Sequence, residues 1–192
     1  KATATVKISE AQPPTLEKND EFEYADYIVV DTTNTNYDEF TGIIYGIDVL
    51  GSNPDYMELT TLEDALKAST GDDNHIIIEP NDQGVYSTGA TISIVNNDGD
   101  VLESYVFVYF GDVDGSGDIT ANDAFITEYY ELTWEGIATY AQYVAADVDV
   151  ADGSPTANDA YIMEYYELTW EGMDYQYNLA QNAKYNSYKW IN

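Results

Sequence analysis

The sequence has no cysteine and no arginine, and only six lysines and one histidine among its 192 residues. Without cysteine there can be no disulfides, no cysteine-ligated zinc and no thiol chemistry. Against the six lysines stand 36 aspartates and glutamates, which give a formal net charge of −30. Because nucleic acids and anionic membrane surfaces are bound through cationic faces, we expect neither as a partner. No apolar run is long enough for membrane insertion.

Recognisable catalytic motifs are missing as well. The single histidine, His75, precedes three isoleucines and has no partner motif, so we interpret it as a strand-end residue and not as a catalytic base. There is no glycine-rich phosphate loop, and nothing singles out a pair of acids for glycoside hydrolysis. We therefore expect a protein that is not an enzyme.

What the sequence does contain is 44% hydrophobic residues and 19 tyrosines, a composition typical of folded proteins. In residues 1–110, Val, Ile, Tyr and Thr alternate in short segments, and Asn97-Asp98-Gly99 separates two of them as in a hairpin. Thr60–Ala68 is the one predicted helix. The predicted strands are Thr5–Ile8, Glu23–Val30, Thr41–Val49, His75–Glu79, Ala90–Val95 and Val101–Phe110. This half predicts an all-β sandwich.

Residues 111–192 contain an internal repeat. Residues 120–136 and 156–172 match at 15 of 17 positions, the exceptions being Phe125 against Tyr161 and Thr127 against Met163. Each copy predicts a helix that follows a polar loop, and Ile137–Ala146 predicts a helix between the copies. We therefore expect two domains, a β-sandwich at 1–110 and a small all-α domain at 111–192, joined without a linker.

The loop before the first repeat helix has the oxygen spacing of a calcium site. Counted from Asp112, side-chain oxygens fall at positions 1, 3, 5, 9 and 12, with Gly117 at position 6 and a backbone carbonyl at position 7. Calcium takes six to eight hard oxygens, and this spacing wraps them around one ion. The predicted ligands are Asp112, Asp114, Ser116, Asp118, Thr120 and Asp123.

The second loop repeats this pattern over thirteen residues, with the extra residue placed at Val150-Ala151. The alternative interpretation is that both acidic loops are solvated turns. Two copies with the same donor spacing, each ending in Asp and the same helix, favour two Ca²⁺ ions. The predicted ligands here are Asp147, Asp149, Asp152, Ser154, Thr156 and Asp159.

Each repeat helix carries apolar residues on two adjacent faces. In the first helix, Phe125, Tyr129 and Leu132 share one face, and Ile126 and Tyr130 lie on the next. One face must pack the two helices together, but the combined stripe is too wide for one small core, so part of it is left for an interface. The spacing alone does not decide which part.

Residues 111–192 resemble a dockerin, the calcium-binding module that docks onto cohesin domains in cellulosome-type assemblies. The features that carry this resemblance are the opening Gly111–Gly117, the duplicated loop–helix units and the helix between them. The preceding β-half resembles the immunoglobulin-like X module found before some dockerins. The resemblance implies two F-hand calcium repeats and a secreted or cell-surface protein. Because the chain opens on Lys1, we expect it to be a fragment whose targeting segment was cut away.

The resemblance also implies a partner. It predicts a non-catalytic module that binds a cohesin in a calcium-dependent way and so attaches its parent protein to a polysaccharide-degrading complex or cell-surface anchor. An alternative for residues 1–110 is carbohydrate binding, with the dockerin as anchor, because tyrosine-rich β-sandwiches often stack on sugar rings. The implied cohesin contacts are Ala121, Asn122, Ile126, Tyr129, Tyr130, Ala157, Asn158, Ile162, Tyr165 and Tyr166.

Overall fold

The computed structural model describes residues 14–21, 29–31, 42–46, 66–68, 74–149 and 153–169. Within these ranges the strands come first in the chain and the helices follow. The strands are β1 (Leu16–Lys18), β2 (Val29–Asp31), β3 (Gly42–Gly46), β4 (Leu66–Ala68), β5 (His75–Glu79), β6 (Thr91–Val95) and β7 (Val101–Tyr109). The helices are α1 (Ala121–Thr133), α2 (Tyr140–Ala146) and α3 (Ala157–Thr169).

The strands form two sheets. β1 and β4 pair antiparallel, and the other five strands follow the order β2–β3–β7–β6–β5. All neighbours in the larger sheet are antiparallel except β3 and β7, which run parallel with Gly42 opposite Tyr105 and Gly46 opposite Tyr109. β7 is therefore the central strand, and the chain leaves it directly into the first acidic loop.

The predicted hairpin is confirmed between β6 and β7. Its turn is closed by backbone bonds from Asn96 to Asp100 (3.1 Å) and from Gly99 to Asn96 (3.0 Å). Gly99 has φ +86°, a left-handed conformation that glycine adopts without strain. The strands predicted at His75–Glu79, Ala90–Val95 and Val101–Phe110 agree with β5, β6 and β7 to within one residue at each end.

The predicted fold class, an all-β sandwich followed by an all-α domain, is wrong: the fold is mixed α/β. In β7, every residue from Tyr105 to Tyr109 is buried. Successive strand residues point to opposite faces, so both faces of β7 are covered. α2 packs on β7, and the Gly111 N–H donates to the Ala145 carbonyl at 2.8 Å. An independent sandwich would instead alternate buried and exposed residues along a strand with one solvated face.

One hydrophobic core joins the strands to the helices. Phe107 in β7 and Phe110 just after it belong to the same buried cluster as Val144 of α2 and Met163 of α3. The predicted boundary at residue 110 therefore falls at a point where the core is continuous. The division into domains 1–110 and 111–192 stays a prediction.

The helix predicted at Thr60–Ala68 is replaced at its C-terminal end by strand β4. Leu66–Ala68 pairs with Leu16–Lys18, which buries Leu16 and Leu66. Burial of these two leucines in a sheet outweighs the helix propensity of the segment, because tertiary contacts routinely override propensity. Residues 60–65 of that prediction, and the strand predicted at Thr5–Ile8, lie outside the described residues.

We expect that truncating Phe107 will destabilise the helices as well as the sheet. Its side chain is fully buried in the shared core, and Phe→Ala changes in cores cost about 3–5 kcal/mol of unfolding free energy. The measurement is denaturant unfolding of Phe107→Ala, followed by helical circular dichroism and by hydrogen exchange of β7 amides. Ile77→Ala on the same sheet is the control, because Ile77 is 41% exposed. A loss confined to the β7 amides would contradict the shared core.

Candidate metal centres

The first repeat helix begins at a capping box built from the end of the acidic loop. Thr120 is the N-cap: its hydroxyl accepts from the Asn122 N–H at 3.2 Å. Asp123, the third residue of α1, returns the contact by accepting from the Thr120 N–H (2.9 Å) and hydroxyl (3.0 Å). Asp123, the last predicted metal ligand of the loop, is thus also part of the first turn of α1. The loop and the helix therefore form one structural unit.

Three aspartates of the first loop converge. Asp112, Asp114 and Asp123 each place a carboxylate oxygen within 4.8 Å of the others. Asp123 Oδ1 also accepts from the N–H groups of Val113 (2.7 Å) and Asp114 (3.0 Å), so the loop backbone wraps around this carboxylate. These two hydrogen bonds hold the first part of the loop against the start of α1.

The second loop repeats the arrangement. Asp147, Asp149 and Asp159 form a triad with the same 4.8 Å limit. Asp159 Oδ1 accepts from the Asp149 N–H at 2.9 Å, and Oδ2 accepts from the Thr156 N–H and hydroxyl, both at 2.8 Å. The sequence repeat is therefore a repeat of geometry around two carboxylate clusters.

Burial makes the ionised form of these carboxylates unfavourable in free energy unless a cation is bound. Asp112, Asp123, Asp147 and Asp159 have no exposed surface. Burial raises the pKa of Asp112 to about 7, with a further increase from the charges of Asp123 and Asp114. Burial likewise raises the pKa of Asp123 and of Asp159 to about 6. A bound cation would offset both the lost hydration and the mutual repulsion.

One carboxylate oxygen of the first triad is suited to bind a cation. Asp112 Oδ2 accepts from the Ser87 hydroxyl and from the Gly117 N–H at 3.2 Å. Its other oxygen, Oδ1, is buried and has no hydrogen-bond partner among the described residues. Buried carboxylate oxygens are almost always paired, so this oxygen is best explained as a ligand for a cation. Both triads could hold a metal ion, as the loop spacing predicts.

The remaining predicted ligands lie around the triads. The Ser116 hydroxyl donates to the Asp118 carbonyl at 3.3 Å, which places both on the first loop as expected, with the Asp118 side chain exposed. Thr120 and Thr156 use their hydroxyls in the capping contacts. Ser154 is described as half-buried, and Asp152 lies outside the described residues.

The predicted cohesin contacts divide into exposed and buried residues. Tyr129 and Tyr165 are exposed, as are the loop-end residues Ala121 and Ala157. Tyr130 and Tyr166 are buried in the core, where Tyr130 packs edge-on against Tyr143 of α2 with ring centroids 5.8 Å apart. Residues buried in this way belong to the core and not to a free surface. Ile126 and Ile162 are half-buried against the same core.

Asn122 and Asn158, also predicted as cohesin contacts, are hydrogen-bonded to the carboxylate clusters. The Asn122 side-chain amide donates to Asp114 Oδ2 at 2.6 Å, and that of Asn158 donates to Asp149 Oδ2 at 2.5 Å. Both asparagines are otherwise exposed. They orient one aspartate of each triad, a role that the sequence did not indicate.

The predicted contacts leave out four exposed apolar residues of the outermost helix faces, which are Phe125, Leu132, Tyr161 and Leu168. Phe125 is 61% exposed and Tyr161 is 63% exposed, and each stacks on the tyrosine one turn later at centroid distances of 6.0 and 6.3 Å. Leu132 and Leu168 are still more exposed. The i, i+4, i+7 spacing identified this face. We define two stripes: the α1 stripe is Phe125, Tyr129 and Leu132, and the α3 stripe is Tyr161, Tyr165 and Leu168.

Comparisons with protein-family models, with curated proteins and with solved structures found no match to this chain. Among the described helices, none is long and apolar enough to cross a membrane. A function can therefore be proposed from the chemistry of the two clusters and the two stripes, together with the sequence pattern of the repeats.

Proposed function

We propose that the chain is a non-catalytic attachment module that binds a cohesin domain in a calcium-dependent way. The observation that carries this proposal is that each buried carboxylate cluster lies at the start of a helix with an exposed apolar stripe. Asp123 is the third residue of α1, and Phe125 and Tyr129 follow within two turns. An ion that holds Asp123 therefore also fixes the start of the helix that presents the stripe.

Calcium is the ion that suits these clusters best. The ligands available in each triad are carboxylates alone, with loop carbonyls such as that of Asp118 nearby, and hard oxygens favour Ca²⁺, Mg²⁺ or Mn²⁺ over Zn²⁺ or Cu²⁺. Magnesium keeps several waters and needs near-ideal octahedral geometry, whereas calcium accepts six to eight oxygens in a flexible shell. The 1-3-5-7-9-12 spacing of the first loop supplies that number. Two ions are expected per chain.

The stripes supply the docking surface of the proposal. Exposed clusters of large apolar side chains mark interaction sites, and tyrosine is enriched among the residues that dominate binding energy. The choice of a cohesin as the partner rests on the resemblance of the loop–helix repeats to dockerins. In that role the module acts outside the cell and attaches its parent protein to a cellulosome-type complex or a cell-surface anchor.

Carbohydrate binding by the strand half receives no support from the tyrosines of β7. Tyr105 and Tyr109 of β7 are both buried, so neither offers a free ring face to a sugar. The strand half has instead a contact with the first metal loop, which favours a supporting role.

The direct test is binding of the intact chain to a panel of cohesin domains, with calcium and with a chelator. We expect at least one cohesin to bind with calcium and to dissociate when the chelator removes it, because the stripes are presented by helices that begin at the metal clusters. Calorimetry with calcium alone is measured in parallel and should report two ions per chain. If the chain binds two ions but no cohesin, the proposed metal sites stand and the proposed partner is refuted.

A further inference from the structure

The turn between β5 and β6, residues 80–90, lies against the first metal loop. The Asn81 side-chain amide donates to the Gly115 carbonyl at 2.7 Å and to the Thr88 carbonyl at 2.9 Å. The Gln83 side-chain amide donates to the Asp114 carbonyl. Two polar side chains from the strand half therefore hold the backbone of two consecutive residues in the metal loop.

The turn is itself internally braced. Asn81 Oδ1 accepts from the N–H groups of Gln83 (3.0 Å) and Val85 (3.1 Å), while the Asn81 N–H donates to the Val85 carbonyl at 2.9 Å. Thr88 is fixed to β7, since its hydroxyl exchanges hydrogen bonds with the backbone of Tyr109. A turn that is fixed at both ends is a rigid support, and it orients the Asn81 amide toward the Gly115 carbonyl.

Ser87 reaches a metal ligand directly. Its side chain has no exposed surface, and its hydroxyl donates to Asp112 Oδ2. The bond fixes the orientation of the carboxylate and leaves the unpartnered Oδ1 as the oxygen available to a cation. Such outer hydrogen bonds orient metal ligands, and their removal costs about 10- to 100-fold in metal affinity.

The contact between the turn and the loop requires glycine. Gly115 has φ +76°, and a Cβ there would lie 2.7 Å from Asn81 Nδ2 and 2.8 Å from the Thr88 carbonyl oxygen. At Gly117 a Cβ would meet Val85 Cγ1 at 3.2 Å. The two backbones are therefore in direct contact, with no room for a side chain between them.

We infer that residues 80–90 are an outer part of the first metal centre, in which Ser87 and Asn81 are positioning residues that set its calcium affinity. The inference rests on the proposed calcium function. Among the described residues, Asn81, Gln83 and Ser87 contact the metal loops at Asp112, Asp114 and Gly115, all in the first loop. We therefore expect their effect to be confined to one of the two sites. The second loop has a different support: the Tyr143 hydroxyl of α2 donates to the Gly153 carbonyl at 3.3 Å.

The experiment is a calcium titration of the intact chain and of Ser87→Ala by calorimetry. NMR signals of the Gly117 and Gly153 amides identify the two loops. We expect Ser87→Ala to weaken the site reported by Gly117 by about 10- to 100-fold and to leave the site reported by Gly153 unchanged. Asn81→Ala is the second variant and should weaken the same site. Ser93→Ala is the matched control, because its buried hydroxyl contacts Ser104 in the sheet, at 3.2 Å.

The outcomes separate this inference from the proposed function. A wild-type chain that binds no calcium refutes the calcium function, and the inference with it. A wild-type chain that binds two ions, with unchanged affinities in both variants, refutes the inference alone. An equal loss at both sites, or a lower melting temperature in chelator with unchanged calcium affinity, would show Ser87 to be a general structural residue and would also refute it. If Ser87→Ala fails to fold, the calcium affinity of Asn81→Ala tests the inference instead.

Discussion

Removing calcium is expected to destabilise the whole chain and not only the repeat helices. Four aspartates without exposed surface are brought together in two clusters, and an ion that binds only the folded state stabilises it by RT ln(1 + [Ca²⁺]/Kd). At a calcium concentration a thousand times Kd this is about 4 kcal/mol per site. Two such sites in one cooperative unit therefore add a large share of the 5–15 kcal/mol typical of a folded domain.

The measurement is thermal unfolding in calcium, in magnesium and in excess chelator. Because Phe110, Val113 and Val144 belong to one core, the sheet and the helices should lose stability together on chelation. A drop in helical circular dichroism should coincide with faster exchange of the β7 amides. Magnesium should restore little of the loss, because it dehydrates reluctantly. Unchanged melting in chelator would refute a metal role for the clusters.

The two carboxylate clusters could be predicted from sequence because their parts are local. Asp112 and Asp123 are separated by eleven positions in the chain, and the loop and the helix cap that join them are set by residues between them. The oxygen spacing that a calcium ion would require is thus contained in one short segment of the chain. Where a group of acidic residues is this compact in sequence, spacing is enough to predict that three of its carboxylates converge.

The shared core could not be predicted in the same way. The run Tyr105–Tyr109 is apolar throughout, a pattern that fits a sandwich strand as well as a strand covered by a helix. What covers it is α2, whose contribution depends on the path of the chain through the first loop and α1. Ser87 was missed for a related reason: it lies 25 positions before Asp112 in a polar turn, and nothing local links the two.

The choice between the two faces of each repeat helix also needed tertiary structure. Tyr130 and Tyr129 are adjacent and chemically identical, yet one packs on Tyr143 and the other faces outward. The sides on which α2 and α3 pack against α1 decide between them. One of the two differences between the repeats has a visible reason: the Thr127 hydroxyl contacts Met163 Sδ at 3.7 Å where α1 and α3 pack together, so unlike side chains fill one shared space.

The near-identity of the two stripes predicts that either one can dock the partner. Phe125, Tyr129 and Leu132 on α1 have counterparts of nearly equal exposure in Tyr161, Tyr165 and Leu168 on α3. If the two orientations are equal, blocking one halves the number of binding modes and costs only RT ln 2, about 0.4 kcal/mol. The double variants Phe125→Ala with Tyr129→Ala, and Tyr161→Ala with Tyr165→Ala, should therefore each bind the cohesin about twofold more weakly.

Combining the four substitutions is expected to abolish docking, because both orientations then lose stacked aromatic rings. Losing one hot-spot side chain costs about 2 kcal/mol or more, and two are removed from each stripe, so affinity should fall by about a thousandfold or more. The measurement is cohesin binding by calorimetry in calcium. Calcium stoichiometry and melting temperature serve as controls for folding, and Ile77→Ala with Val101→Ala removes exposed apolar surface from the sheet instead. A loss of this size from either double variant alone would establish one fixed orientation, since the intact stripe would then be unable to substitute for the other. Full binding by the fourfold variant would place the docking surface elsewhere.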